Sequence, residues 1–205
     1  MRIFGIDPGS ERTGYGCVET DGRRPRLVTC GAIAARAADS FPDRLARIHR
    51  ELSALLVSCR PEYVAIENLF HAANVRSALK LGHARGVAML AAVEAGCPVI
   101  EYTPAEIKRA IVGYGRAEKH QVQQMIKLLL GLAKPPSSLD AADALAVAIC
   151  HLHSMPRGIG DRGPGIGDRG AGSRIAEAGR RPIPDPRSPI PGKPRTWRQY
   201  RPPNG

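Results

Sequence analysis

The stretch Arg2-Ile3-Phe4-Gly5-Ile6-Asp7-Pro8-Gly9-Ser10 begins with a short apolar run, ends it on a carboxylate and then turns at Pro8-Gly9. Apolar residues bounded by a turn signal read as a buried strand. Two similar runs follow closely, at 14–19 and 27–34, with a second turn signal, Asp21-Gly22-Arg23-Arg24-Pro25, between them. Strands joined by so few residues form an antiparallel meander. Working outward, Phe41-Pro42-Asp43 opens a segment with Leu45, Ile48, Leu52, Leu55 and Leu56 on one helical face, ending before Pro61. Tyr63-Val64-Ala65-Ile66-Glu67 is another buried strand that finishes on a carboxylate. The remaining pattern predicts a long helix over 74–95, a strand over 98–102 and helices over 104–112, 119–130 and 138–153. Three strands in a row followed by this alternation predict an α/β protein, with a mixed five-stranded sheet flanked by helices on both sides.

Charge divides the chain in two. Its 205 residues carry 30 Lys+Arg and 19 Asp+Glu, a net charge of +11. Residues 155–205 hold 10 Gly, 10 Pro and 11 Lys+Arg against 4 acids, so they contribute +7, and residues 1–154 only +4. A segment so rich in Gly and Pro cannot bury a core. The expected organisation is therefore a folded domain over 1–154 and a disordered basic tail over 155–205. The tail contains the repeat Gly158-Ile159-Gly160-Asp161-Arg162-Gly163 and Gly165-Ile166-Gly167-Asp168-Arg169-Gly170. Trp197 and Tyr200 stand there among arginines, either in a solvated extension or in an auxiliary nucleic-acid arm.

Several classes are excluded. No apolar run approaches the roughly 20 residues that cross a bilayer, and the first residues lack a signal-peptide pattern, so a soluble, cytoplasmic protein without membrane contact is expected. Cys17, Cys30, Cys59, Cys97 and Cys150 are odd in number, scattered and mostly set in apolar runs, which reads as core cysteines in a reducing compartment. His151 and His153 are two apart on a helix and do not share a face, which argues against a metal pair.

The informative residues are acids in apolar surroundings. Asp7 and Glu67 each end a buried strand, and Leu139-Asp140-Ala141-Ala142-Asp143-Ala144 places two aspartates three apart on one helical face. Asp7 before Pro8 also suits an Asx-turn, and Asp140 suits the first turn of a helix capped by Ser138. Neither local role accounts for Asp143 or Glu67. A buried carboxylate costs several kcal/mol or becomes protonated, and adjacent ones repel. Hard divalent cations relieve that repulsion, and two such ions clamp the oxygens of an in-line phosphoryl transfer. With the basic surface, this predicts a nucleic-acid substrate.

Four linked segments carry a resemblance: Gly5-Ile6-Asp7-Pro8-Gly9-Ser10 with Thr13-Gly14-Tyr15-Gly16; Ile66-Glu67-Asn68-Leu69-Phe70 with Asn74 and Ser77-Ala78-Leu79-Lys80-Leu81-Gly82; Glu118-Lys119 with Gln121-Val122; and Asp140-Ala141-Ala142-Asp143-Ala144-Leu145-Ala146. Together, in order from Met1 to about His153, they resemble the RuvC family of bacterial Holliday junction resolvases. The resemblance implies a ribonuclease H-like fold, a homodimer, and Mg²⁺-dependent symmetrical nicking of four-way junction DNA that leaves 5′-phosphate and 3′-hydroxyl ends. It implies two Mg²⁺ ions per site, with Mn²⁺ able to substitute, held by Asp7, Glu67, Asp140 and Asp143 as catalytic residues. It also implies RuvA and RuvB as branch-migration partners. The basic tail departs from the family's shorter ends.

The resemblance further assigns DNA contacts. Phe70 matches an aromatic that stacks on or wedges into unpaired bases, although an aromatic there also suits a core plug. Lys108 and Lys119 match lysines near the catalytic cleft; for a lone lysine a solvated surface is the ordinary alternative. Arg76 and Lys80 join His83 in a basic stripe on the long helix, whose small residues Ala78, Gly82 and Gly86 suit either a close dimer contact or packing on the sheet. Two other classes fit the residues less well. An actin-like ATPase shares the first loop but needs two such domains, and a non-catalytic junction-binding protein has no use for four costly carboxylates.

Overall fold

The computed structural model describes residues 1–36, 38–68 and 74–155. Phe70 and the expected basic tail beyond Met155 lie outside the described residues. The elements run β1 (Arg2–Asp7), β2 (Arg12–Glu19), β3 (Arg26–Ala34), α1 (Phe41–Cys59), β4 (Tyr63–Glu67), α2 (Val75–Glu94), β5 (Val99–Tyr102), α3 (Pro104–Val112), α4 (Lys119–Leu130) and α5 (Leu139–Ser154). The sheet order is β3-β2-β1-β4-β5, with β1, β2 and β3 antiparallel and β1, β4 and β5 parallel. This is the expected mixed five-stranded sheet of a ribonuclease H-like fold. β2 starts at Arg12, two residues before the alternation suggests, because Arg12 and Thr13 complete the ladder against Ala34 and Ile33.

Helix starts follow the local chemistry. Ser40, Asn74, Thr103 and Ser138 each accept a backbone N–H bond from the first turn of α1, α2, α3 and α5, satisfying donors that a helix otherwise leaves open. The sheet separates two apolar cores, and strand parity decides which residue enters which. Phe4, Ile6, Cys17, Val64 and Ile66 face α1 and α2. Ile3, Val18 and Ala65 face α3, α4 and α5. Helices therefore cover both faces.

α5 is apolar nearly all round, with ten of its sixteen residues buried from Ala141 to His151. A helix of that kind must be covered on all sides, and α5 lies between the sheet and α3 and α4. Gly5, Gly14 and Gly16 make the seat. A Cβ at Gly5 would lie 2.0 Å from the Ala144 carbonyl oxygen, and one at Gly14 would lie 2.0 Å from that of Asp140. Only hydrogen at these positions lets the helix backbone rest on β1 and β2. All five cysteines are free, and every one but Cys30 is buried. Among the described residues, no helix is long and apolar enough to cross a membrane.

Candidate active site

Parity and register place the acids before any side-chain detail is considered. Ile3 faces α5, so Gly5 and then Asp7 do too, because side chains alternate along a strand. Ala65 faces the same side, which puts Glu67 there as well. β1 and β4 are parallel with Ile6 opposite Ile66, so their terminal carboxylates emerge side by side at one edge of the sheet. The glycine seat then brings the first turns of α5, with Asp140 and Asp143, over that edge.

Asp7, Glu67 and Asp143 line one cavity of about 270 Å³, together with Lys108 and Lys119 and an apolar wall that includes Ile107 and Val122. Its electrostatics are those of crowded acids. The Asp7 carboxyl is pushed up to about 8, first by burial, then by repulsion from Glu67 and Asp143 and a hydrogen bond with Glu67, with a smaller push from Asp140. Burial also raises the Glu67 pKa, opposed by its hydrogen bond with Asp7 and by the charges of Lys119 and Lys108. Lys119 Nζ lies 3.2 Å from Asp143 Oδ2, and the pKa of Lys119 is raised, chiefly by that carboxylate.

The donor set is all oxygen, crowded and short of positive charge, which is what a hard divalent cation requires. Among the described residues, no three His, Cys, Asp or Glu groups close into a ready-made metal cage. Mg²⁺ does not demand one, because it keeps several waters and binds through one or two carboxylates plus substrate phosphate. The two α5 acids are each engaged by a cation, Asp143 by Lys119 and Asp140 by Arg12, whose Nε donates to Asp140 Oδ2 at 2.7 Å.

The structure thus brings Asp7, Glu67, Asp143, Lys108 and Lys119 together, with Asp140 at the rim outside the cavity lining. Asp140 keeps its local role in the first turn behind the Ser138 cap. Arg76 and Lys80 are exposed on the first turns of α2 and do not line the cavity. Lys80 Nζ sits 5.8 Å from the Phe41 ring centroid, and His83 meets the same ring edge-on. His151 and His153 contact different groups. His151 is buried, with Nδ1 2.8 Å from the Tyr102 hydroxyl, while His153 Nδ1 contacts the Ala110 carbonyl at 3.1 Å.

Arg12 and Thr13 were not legible as site residues. Thr13 is fully buried and its hydroxyl donates to the Gly9 carbonyl at 2.8 Å, closing the turn that follows Asp7. The run Thr13-Gly14-Tyr15-Gly16 contained the signal, but reading it required knowing which helix lies on those glycines.

The family model described as crossover junction endodeoxyribonuclease RuvC matches residues 3–151. The chain belongs to the RuvC family. The crossover junction endodeoxyribonuclease RuvC of Citrifermentans bemidjiense is 56% identical over 154 residues, covering 75% of this chain and 93% of that protein. Its counterpart from Koribacter versatilis is 54% identical over 155 residues, again covering 75% and 93%. Among solved structures, Thermus thermophilus RuvC in complex with Holliday junction substrate superposes with a TM-score of 0.71 at 37% identity, covering 75% of this chain and 93% of that one. The RuvC-family match reaches into every described element, from the second residue of β1 into the last turn of α5, takes in all four acids, and stops short of the basic C-terminal segment.

Proposed function

We propose that this chain is a structure-selective endodeoxyribonuclease that resolves four-way Holliday junctions by paired nicks, in recombination and repair. The observation that carries this reading is the convergence of Asp7, Glu67 and Asp143 with two lysines on one cavity, in a chain of the RuvC family. Asp7, Glu67 and Asp143, joined by Asp140 from the rim, would hold Mg²⁺, two ions per site, with Mn²⁺ as a substitute. When bound, the metal supplies Lewis-acid activation of water and charge stabilisation at the leaving oxygen. The chain's own residues do the rest. Lys108 and Lys119 draw the scissile phosphate into the cavity and offset its charge. The apolar wall formed by Ile107 and Val122 limits water on one side. Phe70 is proposed to stack on unpaired bases, and Arg76 and Lys80 to contact the DNA backbone.

Paired incision needs two sites, and α2 suits a homodimer. Ala84, Ala88, Ala91 and Ala92 pack inward, while Leu79, Leu90 and Val93 are more than half exposed. Gly82 and Gly86 face open space along a shallow groove between Leu79 and Leu90. Small residues beside exposed leucines let a second helix approach closely. RuvA and RuvB are the branch-migration partners to test on the same family grounds.

The deciding experiment incubates a mobile four-way junction with Mg²⁺ and the parent protein, Asp7→Asn or Asp143→Asn. The parent should nick opposite strands symmetrically, and both variants should bind the junction without cutting it. Robust cutting by either variant would sink the assignment of the acids.

A further inference from the structure

Arg12 is the first residue of β2, and its parity is that of Gly14, so it faces α5. Both ends of its reach are anchored. Its backbone pairs with Ala34 on β3, and the neighbouring Thr13 hydroxyl ties the β1–β2 turn to Gly9. Asp140 is held by the Ser138 cap and by the contact of its own backbone with Gly14. What remains free to move is the guanidinium. Its side chain is 53% exposed, yet its Nε donates to Asp140 Oδ2 at 2.7 Å, and Asp140 is the one acid of the four that does not line the cavity.

We infer that Arg12 is a positioning residue that holds Asp140 at the rim as an ion pair and releases it to the metal site when a DNA phosphate takes the guanidinium. The planar fork of an arginine suits phosphate as well as carboxylate, so the exchange replaces one partner with another of the same chemistry. A half-exposed ion pair is weakly held, so the exchange is readily reversible. The arrangement couples metal loading to substrate: in the free protein the cation on Asp140 opposes a divalent ion, and on the junction that opposition ends. Lys119 on Asp143 differs, because Lys119 lines the cavity itself and Arg12 does not. The inference rests on the proposal that the acids hold divalent cations.

The test uses the full chain and Mn²⁺ alone, following the thermal midpoint across a Mn²⁺ titration without DNA. Arg12→Gln should reach a given upward shift of the thermal midpoint at about two- to five-fold lower Mn²⁺ than the parent, the range expected for loss of one screened ion pair. Arg12→Lys, which keeps the charge, should stay within about two-fold of the parent. In metal-free junction binding, Arg12→Gln should also reduce the dependence of log affinity on log salt by about one unit, reflecting one lost phosphate contact. An unchanged or higher Mn²⁺ concentration for the same thermal shift in Arg12→Gln, or an unchanged salt slope, overturns the inference about Arg12 while leaving the proposed function standing. A parent whose midpoint ignores Mn²⁺ altogether overturns the metal reading itself.

Discussion

Replacing Gly14 with alanine should separate the acids without touching any of them. The new Cβ would lie 2.0 Å from the Asp140 carbonyl oxygen, 2.6 Å from its carbon and 3.1 Å from the Asp140 Cβ. Ordinary contact begins near 3.4 Å, so the first turn of α5 must retreat by roughly 1.4 Å. It cannot tilt freely, because Ala144 is pressed against Gly5 one turn further on. Overpacking of this kind costs about 1–3 kcal/mol. The greater effect is on chemistry, because catalytic groups tolerate about 0.5 Å of displacement and a 1 Å error costs on the order of 100-fold. Urea denaturation measures the first effect and single-turnover nicking of a mobile junction in Mg²⁺ the second. The expected result is a folded protein, destabilised by about 1–3 kcal/mol, with nicking reduced about 100-fold. A Gly14→Ala protein as stable and as fast as the parent would refute the glycine seat as the device that aligns α5 with β1.

Three further outcomes follow from the same contacts. In chelator, Asp7→Asn should be more stable to urea than the parent at pH 8, by on the order of a few kcal/mol, with the gap closing towards pH 4, because a carboxyl raised to about 8 contributes stability that is lost as pH climbs to that value. Adding Mg²⁺ should raise the melting temperature of the parent more than that of Asp7→Asn, and an Asp7→Asn protein less stable than the parent at pH 8 without metal would count against crowded acids. His151 is buried between Tyr63 and Tyr102 with Nε2 unpartnered, and burial lowers its pKa, so the stability it contributes above pH 6.5 should be lost as pH falls; His151→Phe should flatten that acid-side slope in calorimetric melts, and an unaltered slope would show that His151 is not its source. Leu79→Glu combined with Leu90→Glu should convert a sedimenting dimer into monomer and abolish paired nicking, whereas an intact dimer would place the interface elsewhere.

Much of the site was legible because acids are costly where they stand. Asp7 and Glu67 could be picked out as strand-terminal carboxylates, and Asp143 as a charge among alanines, since no local turn or cap explains it. The elements themselves were readable from periodicity, with β3 starting one residue and β2 two residues earlier than read, each at an arginine that hides an extended residue behind a polar side chain. The role of Arg12 could not be read, because its partner is 128 residues away and depends on the seating of α5. The small residues of α2 left two readings open. In the structure Ala84, Ala88, Ala91 and Ala92 pack inward, while Gly82 and Gly86 face open space.

By itself, the sequence determined the alternation of strands and helices and singled out the acids as candidates, because hydrophobic period and the cost of burying charge are local properties of the chain. Tertiary structure alone decided which acids share a cavity and which stands at its rim. That outcome depends on the parallel register of β1 with β4 and on three glycines that admit a helix backbone to within contact of the sheet. These are distances between segments far apart in the chain, and no local pattern encodes them.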